Sequence, residues 1–239
     1  MDIRYRCVGD INKECVLILH GWGGNEYTFS MLDSVLSRDY FVLSINLSDI
    51  TTNYLSKPLS MLDYTNAIIY ILHRLNIKTC HIICHSFGCR VALLLNKFYD
   101  IHISSMVIID GAGVKDRSII TRCKIKYYKL LKLMVKHKIL SGNVLDKYGS
   151  SDYKSLDDIS KKTFQNIVNY DLKKYIKYID CPCTIIWGKY DTDTKYIVAK
   201  YMRRIIPNSR LITYNGGHFS YVEYPINFVF DIKNHFGIR

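Results

Sequence analysis

The sequence predicts an α/β architecture: a mostly parallel sheet flanked by helices on both faces, with one inserted helical cap. Three observations predict it. Short apolar, β-branched runs alternate with longer segments of helical periodicity along most of the chain. The runs are nearly continuous in apolar residues, as strands covered on both faces are. The alternation breaks once, from Val114 to about Lys177, where the pattern is helical and basic.

Taken in order, Cys15-Val16-Leu17-Ile18-Leu19 is a short apolar run ending in a glycine loop, and Phe41-Val42-Leu43-Ser44-Ile45 is another. Ser60 opens a helix, because Asp63 three residues on closes a capping box. Ala67, Ile68, Ile71, Leu72 and Leu75 carry that helix forward. His81-Ile82-Ile83-Cys84 is the next strand, and Phe87 to Phe98 reads as helix. Ser105 to Ile109, Cys183 to Trp187 and Arg210 to Tyr214 complete the strands. The basic stretch falls between two of them and therefore reads as an insertion. Residues 1-113 and 178-239 form the core, and 114-177 the cap. Within the cap, Cys123 to Leu140 reads as one amphipathic helix. Tyr127, Leu130, Leu131 and Met134 share a face expected to roof a pocket, while Lys129, Lys132 and Lys136 share another.

Composition narrows the classes. A chain of 239 residues that is 49% hydrophobic and 23% charged fits one globular domain with a full core. No apolar run approaches the ~18–20 residues of a membrane span, and Met1 to Arg6 lacks a signal core, so a cytoplasmic location is expected. The eight cysteines sit largely in strand-like segments and read as buried free thiols. Cys80-His81-Ile82-Ile83-Cys84-His85 is one residue too long for a haem attachment motif, and strand alternation turns its cysteines away from its histidines. No metal or cofactor is expected. The net charge is +12, and residues 115–177 hold 16 Lys/Arg against 6 Asp/Glu. No nucleic-acid-binding pattern accompanies that charge. It reads as a solvated helical face or, more sharply, as an entrance that attracts anions.

Three motifs carry chemistry. Cys84-His85-Ser86-Phe87-Gly88 lies between a strand and a helix, the setting of a nucleophile elbow, with Cys84 where a glycine is usual. Serine needs a base within hydrogen-bond reach. His218, in Asn215-Gly216-Gly217-His218-Phe219 after the last strand, is that base; His73, His102 and His137 read as surface or packing groups, and His85 is too close in the chain to turn back. Asp191, after Trp187-Gly188-Lys189-Tyr190, is the orienting acid, because sites in such sheets lie at the carboxyl ends of strands. Asp193 is expected to cap a helix beginning near Thr194, and Asp110 is the distant competitor for the acid. The N–H groups of Phe87 and of Trp22, in His20-Gly21-Trp22-Gly23-Gly24, are the expected oxyanion donors.

At these residues, from about Ile3 to Phe236, the chain resembles the α/β-hydrolase superfamily, whose catalytic order Ser, Asp, His it shares. Leu17-Ile18-Leu19-His20-Gly21-Trp22-Gly23, His85-Ser86-Phe87-Gly88-Cys89-Arg90-Val91-Ala92, Trp187-Gly188-Lys189-Tyr190-Asp191-Thr192 and Gly217-His218-Phe219-Ser220-Tyr221 carry the resemblance. It is similar to small Gram-positive-type bacterial α/β-fold hydrolases, and the His-Gly-Trp-Gly loop resembles that of pimeloyl-carrier-protein methyl ester esterases. The resemblance implies a triad of Ser86, Asp191 and His218, with Trp22 lining the acyl pocket. One departure stands out: Asn46-Leu47-Ser48-Asp49-Ile50-Thr51-Thr52 replaces the family's usual Asp-x-Pro-Gly-x-Gly-x-Ser.

The expected function is hydrolysis of a carboxylic ester through an acyl-enzyme. The same triad serves a C–C bond hydrolase or an acyltransferase, and a non-catalytic ligand-binding protein of this fold is the reading from another class. Trp22, Tyr127, Leu131 and Met134 are the expected substrate-binding residues. The expected partner is a small ester or acyl substrate, with an acidic carrier protein, an anionic surface or an anionic ester as candidates at the basic cap.

Overall fold

The computed structural model describes residues 3–53, 57–115, 119–137, 139–141, 144 and 156–238. Of the expected cap, residues 116–118, 138, 142–143 and 145–155, and the Cys123 side chain, lie outside the described residues. The strands are β1 (Tyr5–Val8), β2 (Cys15–Leu19), β3 (Phe41–Ile45), β4 (Thr79–His85), β5 (His102–Ile109), β6 (Cys183–Gly188) and β7 (Ser209–Tyr214). The helices are α1 (Asp33–Leu36), α2 (Leu47–Asn53), α3 (Met61–Arg74), α4 (Phe87–Phe98), α5 (Ile119–Lys136), α6 (Asp158–Asn169), α7 (Tyr196–Ile205), α8 (Ser220–Glu223) and α9 (Pro225–Phe236).

One seven-stranded sheet runs in the order β1-β3-β2-β4-β5-β6-β7. β1 pairs antiparallel with β3 and every other pairing is parallel. The chain steps outward from β2 to β3, then returns across β2 to β4. The topological switch point therefore lies between β2 and β4, the place where such sheets open a crevice beyond their carboxyl ends. Leu19 pairs with Cys84 there, so the glycine loop after β2 and the elbow after β4 leave the sheet side by side.

Alternate residues of each strand feed two cores. Leu17, Leu43, Ile82, Met106 and Ile185 pack with α3, α4 and α7. Val16, Val42, Ile83, Val107 and Ile186 pack with α1 and α9, through Leu36, Phe228 and Ile232. Cys80 and Cys84 belong to the first core, whereas the His81 ring meets Tyr40 and Phe236 and the His85 ring meets Phe29 and Tyr221. The strand thus holds those cysteines and histidines on opposite faces.

The capping box forms at α3: the Ser60 N–H donates to Asp63 Oδ2 at 2.7 Å and Ser60 Oγ accepts from the Asp63 N–H. α5 begins before Cys123 and ends a turn before Leu140. Its burial corrects the expected apolar face. Leu131 is 6% exposed and Met134 half-buried, but Tyr127 is 56% and Leu130 53% exposed. Lys129, Lys132 and Lys136 are exposed along its outer side.

α6 is fastened to the sheet's helices. Asp157 caps it, Oδ1 accepting from the N–H groups of Ile159 and Ser160. Thr163 Oγ1 accepts from the Leu59 N–H at 2.9 Å. The buried Arg90 of α4 donates through Nη1 to the carbonyls of Ile167 and Tyr170 at the helix end, at 2.9 and 3.0 Å.

Candidate active site

Ser86 stands between β4 and α4 in a conformation that side-chain-bearing residues rarely adopt, φ 45° and ψ −110°. Backbone hydrogen bonds hold this strained turn: the Ser86 N–H donates to Ile109 O, and Ser86 O accepts from Cys89 and Ala112. The turn brings α4 hard against the end of β2. A Cβ on Gly88 would lie 2.1 Å from the Leu19 carbonyl oxygen, so no other residue fits there. Cys84, in place of the usual glycine, is accommodated as a buried thiol pointing to Val107 O at 3.5 Å. Burial pushes its pKa well up, so it remains an inert thiol.

The loop after β7 carries His218 to Ser86. His218 Nε2 lies 2.9 Å from Ser86 Oγ, and His218 Nδ1 lies 2.8 Å from Asp191 Oδ2. The three expected catalytic residues therefore meet in one hydrogen-bonded row. Ser86 and His218 are half-buried and Asp191 is buried, which keeps the serine end accessible and the acid dry. Burial pulls the His218 pKa down, but the hydrogen bond to Asp191 and its negative charge outweigh that and leave it above 6.5. Burial raises Asp191, and the hydrogen bonds from His218 and Thr194 reverse this, leaving it below the usual carboxylate value.

Asp191 is itself fixed by its own loop. Its Oδ1 accepts from the N–H groups of Asp193 and Thr194 at 2.8 and 2.9 Å, and its Oδ2 accepts from Thr194 Oγ1 at 2.6 Å. This corrects the expected cap: α7 begins at Tyr196 with Lys195 before it, and Asp193 is exposed. The turn is closed by Asp191, not by Asp193.

Sequence reasoning missed two supporting residues. Asp110, at the end of β5 with φ 43°, is wholly buried. Its Oδ1 accepts from the Gly188 N–H and its Oδ2 from Ser220 Oγ, both at 2.7 Å, and its carbonyl oxygen lies 2.9 Å from Thr194 Oγ1. It ties the strand end before Asp191 to the helix just after His218, and burial raises its pKa to about 7. His85 lies under the base, its ring 5.0 Å from that of His218. Burial, then the His218 charge, lower its pKa to about 3. A signal for Asp110 existed in its position at a strand end; His85 gave none.

The glycine loop lies against the nucleophile, since a Cβ on Gly21 would come within 3.3 Å of Ser86 Cβ. Trp22 and Phe87, the residues of the two expected oxyanion N–H groups, pack edge-on with ring centroids 5.5 Å apart. His20 holds this loop to α2. Its Nε2 accepts from the Leu47 N–H at 2.9 Å, which leaves Nδ1 to donate to Gly21 O at 2.7 Å. A cavity of about 200 Å³ opens beside Trp22 and Phe87. Leu47, Ser48, Thr51 and Thr52 of α2 form one wall, and Leu156 and Ser160 close it. Tyr127, Leu131 and Met134 are not among its lining residues, so the roof expected from α5 is supplied instead by the approach to α6. Phe164 of α6 packs edge-on against Trp22 at 5.3 Å.

Among the described residues, the one group with ligand atoms spaced for a metal is Asp191, Asp193 and His218, within 4.8 Å of one another. Two of the three already make the Asp191–His218 hydrogen bond. No described helix is long and apolar enough to cross a membrane.

Comparison with known proteins agrees with this architecture. The alpha/beta hydrolase fold family matches residues 14–126. Lipase 1 of Psychrobacter immobilis is 22% identical over 239 residues, covering 90% of this chain and 74% of the lipase. A hydrolase of Pseudomonas aeruginosa superposes with a TM-score of 0.72 at 17% identity, covering 98% of this chain and 94% of the other. An α/β-hydrolase enzyme from a lagoon-sediment metagenome gives 0.73 at 20% identity, covering 99% and 95%. By its sheet, its strand-to-helix elbow and these matches, the chain has the alpha/beta hydrolase fold.

Proposed function

We propose that the protein is a serine hydrolase that cleaves a carboxylic ester through an acyl-enzyme. The observation that carries this reading is the row Ser86 Oγ, His218, Asp191, with both hydrogen bonds under 3 Å. Ser86 Oγ attacks the ester carbonyl while His218 Nε2 takes its proton. The Asp191 carboxylate fixes the imidazole tautomer and stabilises the imidazolium. The backbone N–H groups of Trp22 and Phe87 hold the oxyanion. His218 then protonates the leaving alcohol, and water deacylates the enzyme by the reverse sequence. In this reading residues 114–177 are a cap over the site. The free thiols Cys7, Cys15, Cys80, Cys84, Cys89, Cys181 and Cys183 suit a reducing cytoplasm.

The lipases among its relatives support an ester substrate over the C–C bond and acyltransfer alternatives on the same residues. A panel of p-nitrophenyl and α-naphthyl esters, run on the wild type and on Ser86→Ala, tests it. Ester turnover confined to the wild type is expected. An alanine variant as active as the wild type overturns the mechanism.

A further inference from the structure

The segment that departs most from the family pattern, Asn46 to Thr52, contains no glycine and folds as α2, a wall of the cavity beside Phe87. From this wall we infer, on the basis of the esterase reading above, that the enzyme takes short, uncharged, apolar acyl groups, with α2 setting the length.

Three observations carry this. The first is size. The cavity is small, about 200 Å³. That is below the usual range of ligand pockets, about 300–1,000 Å³. The second is rigidity, since α2 is fixed at several points. Arg4 grips Asp49 with Nε and Nη2 at 2.9 and 2.8 Å, Asn46 Nδ2 donates to Glu26 Oε2 at 2.7 Å, and the Leu47 N–H is held by His20. A wall anchored in this way does not swing aside for a longer chain.

The third is chemistry. Among the described residues, no Asp, Glu, Lys or Arg lines the cavity. Its hydroxyls are directed elsewhere: Ser48 Oγ donates to Gly24 O, Thr52 Oγ1 to Asp49 O and Ser160 Oγ to Asp157 Oδ2, while Thr51 Oγ1 bonds the Tyr64 hydroxyl. Both His20 nitrogens are occupied as well. The wall therefore offers methyl and methylene surface and gives a carboxylate no counter-charge, so an ω-carboxylated acyl chain is left unpaired on entry.

The test is kcat/KM for p-nitrophenyl esters from acetate to decanoate, with mono-p-nitrophenyl glutarate against p-nitrophenyl pentanoate as the charged comparison. Rates should rise about fourfold per added methylene while the chain fits, peak short of octanoate, and fall beyond. The glutarate should be slower than the pentanoate by about a hundredfold or more. Leu47→Ala should move the optimum to longer chains. Thr52→Phe, at an exposed position that tolerates substitution, should move it to shorter ones and keeps the test decisive if the first variant fails to fold. Fluorophosphonate labelling of Ser86 separates the two levels. A labelled enzyme with an optimum at octanoate or longer, with equal rates for glutarate and pentanoate, or with an optimum unmoved in the folded variants overturns this inference alone. An unlabelled Ser86 with no ester turnover overturns the esterase reading together with it.

Discussion

His85 Nε2 lies 3.0 Å from the backbone carbonyl of His218, and because a carbonyl only accepts, that nitrogen carries the proton. The residue next to the nucleophile thus supports the backbone of the base from beneath. Its other nitrogen, Nδ1, is buried with no hydrogen-bond partner among the described residues, and its pKa of about 3 keeps the ring neutral beside the imidazolium that catalysis creates. His85→Phe should retain the ring packing but lose the donor. A net hydrogen bond of about 1 kcal/mol corresponds to a loss of roughly fivefold in kcat, with KM little changed. Steady-state kinetics on the two proteins measure it.

Asp191→Asn should cost on the order of 10⁴-fold in kcat, by comparison with other triads, while Asp193→Asn should be nearly silent. The difference follows from burial and bonding: Asp191 is buried against His218, and Asp193 is exposed. Equal losses in both variants, or a greater loss in Asp110→Asn, would place the orienting acid elsewhere.

Activity should rise with pH, because only neutral imidazole accepts the serine proton. The His218 pKa lies above 6.5 in the free enzyme, so the rising limb of kcat/KM should have its midpoint above 6.5. In Asp191→Asn the residual activity should show a midpoint shifted to lower pH, since the carboxylate that favours the imidazolium is gone. A pH–rate profile on each protein gives both midpoints.

Acid stability should be set partly by His235. Its Nε2 lies 2.8 Å from Ser105 Oγ and its Nδ1 2.7 Å from Thr184 Oγ1, and burial, then Arg210, lower its pKa to about 4. With the folded value below the unfolded one, stability is present above the unfolded pKa of about 6.5 and is lost as pH falls toward 4. Urea denaturation at intervals between those values should show the slope, and His235→Asn should flatten it.

The sheet and the row of Ser86, His218 and Asp191 were legible because each depends on local signals: buried strands are apolar throughout, and the elbow and the late loops sit at strand ends. β1 was not legible, since Tyr5–Val8 is a short edge strand, part-exposed, with no apolar run. The burial of α5 was not legible either. Its periodicity offers a face containing both Tyr127 and Leu131, and only packing decides that the second is buried and the first exposed. The roles of His85 and His20 arise from contacts across 133 and 27 residues of chain, and no local pattern encodes them; Asp110 is marked by its strand end, but its bond to Gly188 spans 78 residues. The exposed Lys129, Lys132 and Lys136 leave the stripe itself as expected, and its partner is a matter for rates. If it steers an anionic substrate, added salt should slow that ester and not a neutral one, and the triple alanine variant should lose the difference.

The account rests on Ser86 as an activated nucleophile, and active-site labelling tests that most directly. Wild-type protein treated with a fluorophosphonate and digested for mass spectrometry should carry one adduct, on Ser86. Ser86→Ala should remain folded and unlabelled, with ester turnover lowered by at least about 10³-fold. An adduct on another residue, or turnover undiminished in the alanine variant, would contradict it.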